Sequence, residues 1–251
     1  MVVSRGKRGD SMSPLSKVTQ RYLLDFSFRL AVFLLTGWVY LSRPDRLDFT
    51  APDLSWPLVL LWGAVLASML SQLNANSGLT TGCLKQYPGR FDPVPDYDPQ
   101  ELARTVRWQN RGAVKVAAVW LAVNLCFGLL YHRGLLGAPT LVLLCALAYL
   151  CDLVCVLFFC PFQFFLMRNR CCVNCRIFAW GSWMMAAPLM CVPHWYAWTL
   201  FGAGLLVLFV WEVRFHRYPE RFWYGSNRNL QCASCKEQLC RYKLPRRKPN
   251  G

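Results

Sequence analysis

Long apolar runs, separated by short polar phrases, set the pattern of this chain. A helix crossing a bilayer takes about 20 predominantly apolar residues, with a range of roughly 17 to 25. Six stretches meet that length: residues 22–41, 56–73, 112–131, 138–165, 177–193 and 195–211. The fourth is overlong, and the proline of its "CPF" phrase, Pro161, predicts an end or kink there. The last two are short and divided only by "PHW", so they read either as two crossings or as one broken segment. The expected fold class is therefore all-α, a polytopic membrane protein of about six transmembrane helices.

The longest polar interruption, residues 74–111, has its own grammar. "DPVPDYDPQ" is rich in turn residues. Asp98 then fits a helix N-cap, with Pro99 at the first helical position and Glu101 three residues after the cap. The following "QELARTVRWQNR" mixes Leu102, Val106 and Trp108 with three arginines. Two readings stay open: a helix lying on the lipid surface, or a continuation of the third span.

Charge decides between topologies. Lys and Arg concentrate in loops that stay in the cytoplasm. With the N-terminus inside, six spans leave five basic residues before the first span, five in the 74–111 loop, Arg168, Arg170 and Arg176 after the fourth span, and ten in the tail, all on one side. The opposite loops carry only Arg43, Arg46 and Arg133. Six spans with both termini cytoplasmic is the expected arrangement, in three parts: a basic N-terminus (1–21), a membrane domain (22–213) and a basic, Cys-containing tail (214–251). The first run is too long for the apolar core of a signal peptide and lacks a small-residue cleavage site, so it reads as an anchor.

Composition agrees. Of 251 residues, 55% are hydrophobic and 16% charged, against about 25% charged in soluble domains. The net charge of +15 points to an anionic inner leaflet as partner, because no phosphate loop or nucleic-acid-binding motif accompanies it.

Thirteen cysteines are present. Six of them (Cys126, Cys145, Cys151, Cys155, Cys160, Cys191) fall within apolar runs and read as small packed hydrophobes. The others include two pointed phrases, "CCVNC" and "CASCKEQLC". In the six-span topology both face the cytoplasm, where disulfides are uncommon. Two C-x-x-C turns supply four thiolates, enough for tetrahedral zinc or an iron–sulfur cluster. Cys172, Cys175, Cys232 and Cys235 are the expected ligands, with Cys171 and Cys240 as possible additional ones. The 56 residues between Cys175 and Cys232 exceed the usual spacing of a zinc ribbon, but most of that gap is the hairpin of the fifth and sixth spans. Arg176 and Lys236 follow the two pairs and would offset part of the thiolate charge. Zinc, the commoner occupant of paired knuckles, stands ahead of an iron–sulfur cluster.

Three charged residues fall within spans. Asp25 and Arg29 are four apart on one face of the first, and Asp152 lies deep in the fourth, read as a partner of Arg29 ahead of a proton or ion relay. His132, His194 and His216 are not placed for a b-type haem, and no hydrolase or transferase constellation is present. The aromatic and basic "YPERFWYGSN", residues 218–227, reads as an anchor at the inner headgroups.

The phrases "NRCCVNCRIFAW", "PLM" and "PERFWYGSNRNLQCASCKEQLC" resemble a group of uncharacterised small multi-pass bacterial membrane proteins over about the last 90 residues. That resemblance ties the two cysteine phrases together and implies no activity; the expected location is a bacterial inner membrane. Three function classes follow. The first is a scaffold with structural zinc that docks a cytoplasmic protein. The second is an iron–sulfur electron carrier serving a quinone or partner in the bilayer, and the third, resting on Asp25 and Asp152 alone, is a transporter.

Overall fold

The computed structural model describes residues 17–51, 54–74, 86–169 and 175–234. They form helices and turns. The extended pairing among them is a single antiparallel bridge between Pro93 and Asn227.

Among the described residues six α-helices follow one another: α1 (Lys17–Ser42), α2 (Trp56–Ser71), α3 (Pro99–His132), α4 (Ala138–Leu157), α5 (Gly181–Ala186) and α6 (Trp195–Arg217). Four of them are long and apolar enough to cross a membrane: α1 from Thr19, α3, α4 and α6. α2 is a shorter apolar helix. Much of their surface is hydrophobic, with Leu24, Leu34, Leu35, Trp38 and Leu41 exposed along α1 alone. A run of exposed large apolar side chains on that scale suits hydrocarbon rather than water.

Two elements settle questions that the sequence left open. Asp98 caps α3, its carboxylate accepting from the Gln100 N–H at 2.8 Å, and Pro99 takes the first helical position. From that cap α3 runs unbroken for 34 residues, so the arginine-bearing segment continues the third span. α4 stops at Leu157, well short of the apolar run's end at 165. Pro161 disfavours helix at the residue before it, and the chain turns through a π-helical segment, Phe162–Met167, that Arg168 closes in the left-handed conformation at φ 48°.

α1 and α4 pack antiparallel. Arg29 meets Asp152 (2.8 Å), and Tyr40 meets Thr140 (3.2 Å), eleven residues apart on one helix and twelve on the other. α5 is the short middle of a broken segment, flanked by 3-10 turns at Phe178–Trp180 and Ala187–Leu189. Pro188 explains the break. It has no N–H to donate to the carbonyl of Met184, four residues earlier. The Trp120 indole N–H takes that carbonyl instead, at 3.1 Å.

This broken segment advances further than six helical residues suggest. It starts with Arg176 on Asn110 of α3 and ends with Cys191 where a side chain at Gly128 of α3 would stand. Asn110 to Gly128 is about 27 Å of α-helix at 1.5 Å per residue. The fifteen steps from Arg176 to Cys191 cover the same length at about 1.8 Å each, between α and 3-10 rise. Along its other side lies α6, antiparallel: Arg176 sits on Glu212, and Gly204 leaves room for the backbone at Ser182 and Trp183.

Candidate functional site

The end of the bundle that holds Arg176 also gathers the segments 86–98 and 218–234. Asn227, fully buried, fastens them. Its carboxamide oxygen accepts from the Asn229 N–H at 3.2 Å, and its NH2 donates to the Arg221 carbonyl at 2.9 Å. The Val94 N–H donates to the Ser226 carbonyl (3.0 Å), the Arg228 N–H to that of Asp92 (2.8 Å), and the Asn229 amide to that of Arg90 (2.8 Å). Each bond meets a backbone group that would otherwise need water.

Phe222 and Trp223 correct the expectation of headgroup anchors. Both are buried, Phe222 against Trp211 and Phe215 and Trp223 against Tyr97. Aromatic packing against the ends of α3 and α6 wins over lipid contact, and only Tyr218 and Tyr224 of that phrase are exposed.

Of the expected metal ligands, Cys175 is buried and Cys232 is exposed. Cys172 and Cys235, with Cys171 and Cys240, lie outside the described residues, as do Arg170 and Lys236. Cys175 shares a core cluster with Phe222 and Ile177. Leu230, two residues before Cys232, is buried with Leu153, Val156 and Leu157, and Phe178, three residues after Cys175, packs against that cluster. The chain near both cysteines thus returns to one neighbourhood. Among the described residues no group of three or more His, Cys, Asp and Glu suits a metal ion.

Arg176 departs from its expected role beside the thiolates. Its guanidinium is buried and gives both terminal nitrogens to the Glu212 carboxylate, with Nη1 to Oε1 at 2.6 Å. Nε donates to Asn110 at 2.9 Å, the Phe215 ring lies 4.0 Å away, and the Trp180 indole donates to Glu212 at 2.9 Å. Its charge is spent on Glu212. Hydropathy hid the pair, because each partner falls one residue outside an apolar run. Opposite charges flanking one hairpin are the signal that could have found it.

A second ionic cluster lies between α1 and α4. Arg29 donates from Nη1 to Asp152 (2.8 Å) and to the Tyr149 carbonyl (3.0 Å), while Nη2 stands 3.2 Å from Asp25. Tyr149 places its ring 4.2 Å from the guanidinium carbon. Nε is buried without a partner among the described residues. Gly181 makes room for the carboxylate, since a Cβ there would lie 2.3 Å from Asp152 Oδ1. Beside the cluster is a small cavity of about 60 Å³ reached by Gln72, Tyr87 and Arg214.

The cysteines of the apolar runs divide. Cys126 and Cys151 are exposed, against the expectation of packed hydrophobes, because no described element covers them, whereas Cys145, Cys155, Cys160 and Cys191 are half-buried. Comparison with protein-family models, with curated proteins and with solved structures finds no match to this chain.

Proposed function

We propose that this chain crosses a bacterial inner membrane six times, with both termini in the cytoplasm, and that Cys172, Cys175, Cys232 and Cys235 hold one metal ion at the inner face. The ion fastens the tail to the bundle and completes a basic surface on which a cytoplasmic protein docks. The carrying observation is the seat of Leu230 in the cluster that Phe178 packs against, which draws the flanks of the two cysteine phrases together. Support for six crossings comes from the broken segment, which keeps pace with α3 from Asn110 to Gly128.

Zinc is the metal this reading favours, because a four-thiolate site that is purely structural needs no redox change. A second reading has one observation in its favour. Cys175 also lines a large apolar cavity between α3 and α4, where an iron–sulfur cluster would border a space open to a quinone. The experiment is anaerobic purification with metal analysis and a visible spectrum. One zinc per chain without charge-transfer absorbance is the expected result. About four irons per chain in a brown protein overturns zinc for the electron carrier. Neither metal, with Cys172→Ser and Cys232→Ser both harmless to stability, removes the shared site.

A further inference from the structure

α3 and α4 part from their connecting turn, and the broken segment fills only some of the wedge between them. The rest is a cavity of about 460 Å³, within the roughly 300–1,000 Å³ of ligand pockets. Its rim includes Leu147, Cys151 and Phe159, all exposed on the outer surface of the bundle at the level of α4, so it opens sideways toward hydrocarbon.

Two features of the lining restrict what fits. The first is aromatic: Trp120, Phe127, Phe159, Phe162 and Phe178 all border the space. Such faces and edges favour a flat ring more than a bare acyl chain. The second is Asp152, the one formally charged residue there among those described. Oδ2 is taken by Arg29, but Oδ1 accepts from no described residue, and the side chain is 31% exposed. Oδ1 lies beside Gly181, which also lines the cavity, and an unmet acceptor next to an apolar space is costly because lipid tails supply no donor. An occupant that brings a hydroxyl removes that cost.

We propose that this cavity binds a lipid-soluble phenol or quinol, its ring among the aromatic side chains, its hydroxyl donating to Asp152 Oδ1 and its tail leaving past Cys151. The proposal stands on cavity and carboxylate alone and holds whichever metal, or none, the cysteines carry.

The test uses the full chain in phosphatidylcholine nanodiscs, with bound ligand counted by native mass spectrometry. The probes are decylubiquinol, its oxidised quinone and dodecanol. One saturable decylubiquinol per chain is expected, bound at least tenfold more tightly than the quinone, which lacks a donor, and than dodecanol, which lacks a ring. Cys151→Phe places a ring in the opening and should weaken binding tenfold or more while thermal unfolding stays unchanged. Leu147→Phe serves if that variant does not fold. Equal binding of quinol and quinone, undiminished binding in a folded blocked variant, or phospholipid as the sole adduct each overturns the proposal.

Discussion

Arg176 and Arg29 are both buried within a largely apolar bundle, yet their surroundings differ in kind. All three guanidinium nitrogens of Arg176 donate to a side-chain acceptor, two to Glu212 and one to Asn110, and the Phe215 ring lies against its face. Its cluster is formally neutral, with Arg176 buried and Glu212 partly exposed. Arg29 serves two carboxylates, Asp25 and Asp152, so that cluster carries one excess negative charge, with Nε unpartnered and cavities alongside. A cluster whose one cation and one carboxylate meet each other in two bonds serves as a clasp between α6 and the broken segment. An unsaturated one, in a medium that makes unmet polar groups expensive, has capacity for a ligand.

Mutations can break or sharpen that contrast. The largest effect is expected at Arg176→Met, which takes the cation from the Glu212 carboxylate and leaves it the Trp180 indole. Breaking a buried pair this way costs about 3–5 kcal/mol, read as denaturant unfolding in micelles. Adding Glu212→Leu should restore most of it, since an apolar pair of similar volume replaces ions without penalty. No recovery in the double variant would mean the clasp does more than neutralise itself. Next comes Gly181→Ala, whose Cβ overlaps Asp152; overpacking of this kind costs about 1–3 kcal/mol. Gly202→Ala, where the space is open, is the control and should show no loss.

Smaller effects test the excess charge directly. Asp152→Asn loses one charge-assisted bond to Arg29 but also removes the surplus negative charge, so a net loss of about 1 kcal/mol is expected. Asp25→Asn should cost least, about 0.5 kcal/mol or below, as for a single i, i+4 pair on a helix. A loss at Asp25 or Asp152 as large as that at Arg176 would erase the distinction between the two clusters.

Much of this architecture is legible in the residues themselves. The apolar runs locate α1, α3, α4 and α6, because hydrophobicity over about 20 residues is a local property that no partner needs to complete. The cap at Asp98 is legible for the same reason: its donor, acceptor and proline lie within three residues. The 16-residue α2 and the broken segment are less so, since Pro188 forbids regular helix and the remedy, the indole of Trp120, lies 64 residues away in the chain. The ionic partner of Arg176 escaped for a related reason. Hydropathy treats a charge at the edge of a run as a loop charge, whereas the fold turns both edges inward.

By itself, then, the sequence determined the membrane class, the places of the long helices and the punctuation at Asp98 and Pro161. Only the tertiary structure decided that Glu212 claims Arg176, that Phe222 and Trp223 pack inward, that Leu230 seats the tail beside Phe178, and that Asp152, with Oδ2 on Arg29, borders an apolar cavity. The division has a physical cause. Helix formation and burial in lipid depend on neighbours along the chain, while ion pairs and cavities depend on which helices meet and on the space they fail to fill.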